Sequence, residues 1–175
     1  LVENLLSVTR IEEGRLNLHI TEDLVDDVIT EALHHVNRKS VEHHITVRSK
    51  EDYLLAKMDA KLMVQVIINI VDNAIKYTPK GSNILIKTWK QGDKAVISIA
   101  DDGDGIPDEM KERVFDMFYS GANKIADSRR SLGLGLSLCR SIVNAHGGKI
   151  TVSDNTPHGA VFTITLSAGE VEIHE

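Results

Sequence analysis

An apolar stripe at helical spacing runs through residues 60–77: Leu62, Met63, Val66, Ile67, Ile70, Val71, Ala74 and Ile75. A helix of this length with one apolar face must bury that face against a second layer, which confines the chain to a packed, layered domain. Asp59 stands where an N-cap belongs, and Thr78-Pro79-Lys80-Gly81 stops the helix. Directly afterwards, residues 83–90 and 94–100 alternate apolar and polar side chains, and Gln91-Gly92-Asp93 joins them as a pair of strands. The helix and the sheet it can lie on are therefore neighbours in the chain.

The same periodicities organise the rest. Residues 15–20 read as a strand with Leu16, Leu18 and Ile20 on one face. Thr21 reads as a helix cap, with Glu22 and Asp23 in the first turn and a stripe of Leu24, Val25, Val28, Ile29, Ala32, Leu33 and Val36 behind it. Short strands follow at 44–48 and 53–58, then a short helix around 108–117, a loop at 119–132, a helix at 134–145, strands at 149–153 and 160–166, and a tail at 168–175. Residues 1–13 read as the end of a helix that Gly14 stops, and the start at Leu1 points to a piece of a longer chain. This order predicts an α/β two-layer sandwich with a mixed sheet. Only 4% of the chain is aromatic, so the core has to be aliphatic. The net charge of −6 argues against a nucleic-acid footprint. Cys139 is the sole cysteine, which excludes an intrachain disulfide. No apolar run reaches the roughly 18 residues of a membrane span, and no signal peptide is visible.

Three segments carry candidate chemistry. Asn69, Asn73 and Lys76 interrupt the long helix within about 60° of one another in projection. Such amides either tie the helix to a neighbouring loop or serve as oxygen ligands for a hard cation, with Lys76 nearby for phosphate. Asp101-Asp102-Gly103-Asp104-Gly105 follows an apolar strand. It is either an acidic turn or a carboxylate placed for an exocyclic amine, beside glycines that permit close approach. Gly133-Leu134-Gly135-Leu136 opens a helix, either for close packing or to offer free N–H groups to a phosphate. The P-loop and Rossmann fingerprints are absent.

Taken in order, these segments resemble the ATP-binding catalytic domain of sensor histidine kinases, in the wider family of gyrase, Hsp90 and MutL. Residues 69–77 are similar to its N box, residues 101–107 to its G1 box, residues 114–119 to its F box and residues 133–136 to its G2 box. Ala145-His146-Gly147-Gly148 and Gly159 also match, and residues 123–133 resemble potassium-sensing Kdp-type kinases. The resemblance spans about 15–167, with residues 1–14 similar to the end of a dimerisation and phosphoacceptor hairpin. It implies a Bergerat-type fold, a mostly antiparallel sheet on about three helices. It implies that Asp101 binds adenine and that Asn73, helped by Asn69, ligates Mg²⁺. It assigns catalytic roles to Asn69 and Lys76. It adds Tyr77, Gly103, Gly105, Ile106, Phe118, Arg129, Arg130, Leu132, Gly133, Leu134, Gly135 and Leu136 to the nucleotide site, with 106–132 as the ATP lid.

Ser131, Met117 and Ala160 depart from the family pattern, where a glycine, a basic residue and a threonine are usual. ATP-hydrolysing relatives carry a Glu where this chain has Asn69, and an amide cannot take a proton from water. The reading is therefore a kinase using ATP and Mg²⁺, with its acceptor histidine on an upstream hairpin. None of the eight histidines lies in an acceptor-like context. The implied partners are that hairpin and a response regulator, with no nucleic acid. The parent is expected to be a homodimeric membrane-bound sensor with this part in the cytoplasm. The alternatives are a nucleotide-gated, anti-sigma-like binding module and a hydrolytic ATPase.

Overall fold

The computed structural model describes residues 17–36, 42–116 and 135–170. Strand β1 (Thr21–Leu24) runs directly into helix α1 (Val25–Val36). Strands β2 (His44–Ser49) and β3 (Leu55–Met58) lead to helix α2 (Ala60–Lys76). Strands β4 (Asn83–Gln91) and β5 (Lys94–Asp101) follow, then two 3₁₀ turns at Asp108–Met110 and Arg113–Phe115. Helix α3 (Gly135–Ala145) and strands β6 (Lys149–Asp154) and β7 (Ala160–Ser167) complete the described elements.

Five strands form the main sheet in the order β2-β4-β5-β7-β6. Only β2 and β4 pair in parallel, and parallel neighbours require a long crossover, which β3 and α2 supply. The other three pairings are antiparallel. The expected two-layer sandwich with a mixed, mostly antiparallel sheet is thus what the chain forms. Ile84, Ile86, Ile97, Ile99, Phe162 and Ile164 line the inner sheet face, and all are buried. Helix α2 lies between α1 and α3 and buries Met63, Val66, Ile67, Ile70 and Val71 in the same core. That core is aliphatic, as the composition requires, apart from an edge-to-face pair of Phe115 and Phe162 at 6.0 Å.

Two histidine contacts brace the helical layer. The backbone N–H of Asp59 donates to His146 Nε2 at 3.0 Å, and Nδ1 of the same ring lies 2.7 Å from the Ile142 carbonyl. The end of α3 is thereby tied to the start of α2. Asp59 also caps α2 as expected, accepting the Leu62 N–H.

Three expectations need correction. The strand read at 15–20 lies instead at Thr21–Leu24, where it pairs antiparallel with β3 in a separate two-stranded sheet. Residues 17–20 find no partner strand and Ile20 is exposed, so alternation there marks no buried face. Thr21 accordingly starts a strand and caps no helix, and the first-turn acids of α1 are Asp26 and Asp27. The helix read at 108–117 is two 3₁₀ turns, since adjacent Val114 and Phe115 supply the buried side chains and leave no repeating stripe. The segment read as a loose tail from 168 begins pinned. Ala168 N–H donates to the Asp93 carbonyl at 2.9 Å, and Gly169 N–H to the Leu55 carbonyl at 2.8 Å. The helix read at 1–13, the loop at 119–132 and the tail beyond 170 lie outside the described residues.

Ile70 is fully buried at the centre of this layer. Ile70→Ala is expected to lower stability by about 2–5 kcal/mol. A urea unfolding curve with an earlier midpoint and an unchanged slope checks this.

Candidate functional site

Helix α2 ends beside the loop that follows β5, where the Tyr77 carbonyl and the Thr78 methyl lie against Gly103. Asn69, Asn73 and Lys76 are all half-buried along α2. Their surroundings differ. Gln65 Nε2 donates to Asn69 Oδ1 at 3.1 Å, and Asn69 Nδ2 is buried without a hydrogen-bond partner among the described residues. The Asn69 amide also lies beside the Cys139 thiol on α3, whose pKa burial pushes up to about 12. Asn69 therefore faces the α2–α3 seam. The Asn73 side chain is taken by no described residue, so its carbonyl oxygen is free to ligate. Lys76 Nζ lies 5.2 Å from the Tyr77 ring centre, and Tyr77 is exposed.

Asp101 is the best-supported carboxylate of the site. Its Oδ1 accepts two backbone N–H groups, from Gly103 at 3.0 Å and from Ala160 at 3.2 Å. No described donor reaches Oδ2. Burial raises the Asp101 pKa above the ordinary carboxylate range, the two backbone donors partly offset this, and the Asp102 charge adds to the rise. Asp102 behaves in the opposite way. Slight desolvation is outweighed by the Asn83 side-chain and backbone donors, each at 3.0 Å, and its pKa is lowered. The two adjacent aspartates thus divide their tasks, one holding the start of β4 and the other facing the site.

The glycines explain how the loops approach. A Cβ on Gly159, where φ is +115°, would sit 2.0 Å from the Asp101 carbonyl oxygen. A Cβ on Gly103 would meet the Thr78 methyl at 2.8 Å and Asp101 Oδ1 at 3.3 Å. Only hydrogen fits at either place. Gly105 adjoins the Gly159 carbonyl, and Ile106 packs against the core. At Gly135, the first described residue of α3, a Cβ would meet no described atom within 4 Å. Leu136 beside it packs against the core. Phe118, Arg129, Arg130, Leu132, Gly133 and Leu134 lie outside the described residues.

Sequence reasoning missed four side chains here. Asn155 Nδ2 donates to the Asp101 carbonyl at 2.7 Å, and His158 Nδ1 lies 3.0 Å from the Gly103 carbonyl. His43 Nε2 lies 3.0 Å from Thr78 Oγ1, which donates to the Ala74 carbonyl at 2.6 Å. Thr78 has no other proton to give, so His43 Nε2 carries one and donates. These are single long-range contacts with no period or motif to announce them. Ala160, where the family usually has threonine, offers no hydroxyl, and it reaches Asp101 through its backbone N–H.

Because the Asp101 pKa is raised, the folded state keeps this proton at a pH where the unfolded chain has lost it. The resulting stabilisation is full below the unfolded pKa and disappears as pH rises through the folded one. Asp101→Asn is uncharged throughout and keeps an oxygen for Gly103 and Ala160. Its stability relative to the parent is therefore expected to be greater at about pH 7 than at about pH 3. Urea midpoints of both proteins at the two pH values check this.

Residues 58–170 match the family described as Histidine kinase-, DNA gyrase B-, and HSP90-like ATPase. The chain is 42% identical to the Sensor protein KdpD of Clostridium acetobutylicum over 166 residues, covering 95% of this chain and 18% of that protein. It is 34% identical to the Sensor protein KdpD of Escherichia coli K12, covering 100% of this chain and 20% of that one. It therefore spans about a fifth of the length of these relatives. Among solved structures, the catalytic domain of histidine kinase ThkA superposes with a TM-score of 0.76 at 30% identity, over 86% of this chain and 96% of that domain. ThkA has also been solved in complex with a response regulator protein, TrrA; that match has a TM-score of 0.75 at 28% identity, over 95% of this chain and 48% of the ThkA chain. The chain belongs to the histidine kinase-, DNA gyrase B- and HSP90-like ATPase family, and within it to the histidine kinase catalytic domains.

Proposed function

We propose that this domain binds Mg·ATP at the end of the sheet and transfers the γ-phosphoryl group to a histidine on a separate hairpin, within a Kdp-type sensor. The observation that carries this is the Asp101 carboxylate. It is fixed through Oδ1 by two backbone donors, with Oδ2 left for an exocyclic amine such as that of adenine. The KdpD relatives support the Kdp-type assignment. The ThkA–TrrA complex supports a response regulator as the downstream partner. On this reading residues 15–167 are the catalytic domain and residues 1–14 the end of the hairpin. The fragment is the cytoplasmic part of a homodimeric, membrane-bound parent. Among the described residues no helix is long and apolar enough to cross a membrane.

Each residue has a physical task. Asp101 accepts from the purine amine, and Gly103 and Gly159 let backbone come close enough to make the pocket tight. Asn73, whose carbonyl oxygen is free, would hold Mg²⁺; bound there, the ion neutralises charge on the phosphates. Asn69 is held by Gln65 and contributes through the α2–α3 seam, in support of Asn73. Lys76 offers a point charge to phosphate, and Tyr77 a ring face beside the ribose. The first N–H groups of α3, at Gly135 and Leu136, face a phosphate from a positive helix end. The remaining proposed contacts are Gly105, Ile106, Phe118, Arg129, Arg130, Leu132, Gly133 and Leu134. Because Asn69 is an amide, no side chain at that position draws a proton from water. Transfer then rests on positioning and charge stabilisation, and the phosphoryl group is kept for a protein acceptor.

Asp101→Asn is expected to fold and to weaken ATP binding roughly 100-fold. Calorimetry showing an unchanged affinity would remove Asp101 from the adenine role. Asn73→Ala is expected to abolish the Mg²⁺ dependence of ATP binding, and a retained dependence would exclude it as the ligand. Supplied with labelled ATP and the histidine-bearing hairpin in trans, the chain is expected to label that hairpin. Steady phosphate release with no labelled histidine would point to the hydrolytic alternative.

A further inference from the structure

The β6–β7 turn does more than connect two strands. Asn155 N–H donates to the Gly159 carbonyl at 3.0 Å, which closes the turn. The Asn155 side-chain amide is used at both ends. Its Oδ1 accepts the Thr156 N–H at 2.9 Å, and its Nδ2 donates to the Asp101 carbonyl at 2.7 Å. The second contact fills a gap in the sheet. The β5–β7 ladder ends at Ala100↔Val161, so the Asp101 carbonyl has no strand partner on that side. Asn155 takes the place of the missing strand. Three residues on, His158 Nδ1–H donates to the Gly103 carbonyl at 3.0 Å, and Ala160 N–H reaches Asp101 Oδ1 at 3.2 Å. Gly159 lies so close to Asp101 that no Cβ would fit between them. The turn therefore grips the Asp101 loop at its main chain on both sides of the carboxylate.

We infer that Asn155 and His158 are positioning residues for purine selectivity. By fixing the carbonyls of Asp101 and Gly103, they aim the free oxygen of Asp101 and so set the preference for a base that bears an exocyclic amine. This rests on the reading of Asp101 as the adenine acceptor. A carboxylate free to swing would still accept hydrogen bonds but would no longer favour one direction. A pre-aimed acceptor avoids that ordering cost when the base arrives.

The test compares ATP with inosine triphosphate, which carries a carbonyl in place of the amine. Dissociation constants are measured by calorimetry for the unaltered chain and for each variant. The unaltered chain is expected to prefer ATP. Asn155→Ala is expected to weaken ATP binding about tenfold while inosine triphosphate binding changes little, so the preference collapses. Asn155→Asp keeps the acceptor for Thr156 but replaces the donor with an acceptor, and is expected to collapse the preference with the turn intact. It serves where Asn155→Ala fails to fold. His158→Ala is expected to reduce the preference, and His158→Gln, which retains an N–H donor, to restore most of it. If the Asn155 variants weaken both nucleotides equally, or leave the preference unchanged, the positioning role is overturned while the Asp101 reading stands. If the unaltered chain shows no preference for ATP, the Asp101 reading itself falls, and this inference with it.

Discussion

A half-buried carboxylate at the end of a central strand is the constraint around which the site is arranged. Asp101 sits where the apolar interior of β5 gives way to the loop, and burial there disfavours its charge. Two backbone N–H groups from different segments, Gly103 and Ala160, converge on one oxygen and limit that cost. Their convergence demands that three pieces of chain nearly touch. Gly103 must pass under Thr78 at the end of α2, and Gly159 must press against the Asp101 carbonyl. The glycines of this site follow from the carboxylate, since a side chain at either place would push a donor away from it.

Helix α2 meets two incompatible demands along its length. Its apolar face is part of a mainly aliphatic core, whereas its last turns carry the amides and the lysine of the candidate site. The transition falls at Asn69, which is neither wholly in the core nor wholly in the site. Gln65 one turn earlier takes its oxygen, and the buried Cys139 lies against the other end of the amide. Asn69 is thus engaged within α2 and lies against the α2–α3 seam, whereas the Asn73 side chain meets no described partner. That division bears on the chemistry proposed for the family position occupied by Asn69. A glutamate there would have to lie against the α2–α3 seam, and an uncharged amide suits that place better.

The elements legible in the sequence are those whose burial repeats. α2, β4 and β5 were recoverable nearly to the residue because α2 and β4 bury one face over two or more periods and β5 is buried along most of its length. β1 was misplaced because its four residues obtain their pairing from β3, and the Leu18–Ile20 alternation before it imitates a strand. The 3₁₀ turns bury only adjacent Val114 and Phe115, which is no pattern at all. In the site, Asp101, Asn73 and Gly103 were legible because local sequence sets them apart from an apolar background. Asn155, His158 and His43 were not, since Asn155 and His158 act on the Asp101 and Gly103 carbonyls and His43 on the Thr78 hydroxyl, all far away in the sequence. Nothing in the chemistry of those side chains sets them apart until the fold brings their partners to them.

The same distinction between local and global explains how an acidic chain can hold an anion. The net charge of −6 is a sum over the whole chain, and water and salt screen exposed charges beyond about 10 Å. What a phosphate would meet is decided within a few ångströms. On the proposed reading that neighbourhood holds Lys76, the N–H groups at the start of α3 and the ion carried by Asn73. The two nearby aspartates add little against it. Asp102 is held by its pair of Asn83 donors, and Asp101 is held through Oδ1 by the Gly103 and Ala160 N–H groups, its other oxygen being the one proposed for the base. Asp101 and Asp102 are thus carboxylates whose fields donors partly answer. On that reading the positive groups act on the phosphates at closer range than the net charge does.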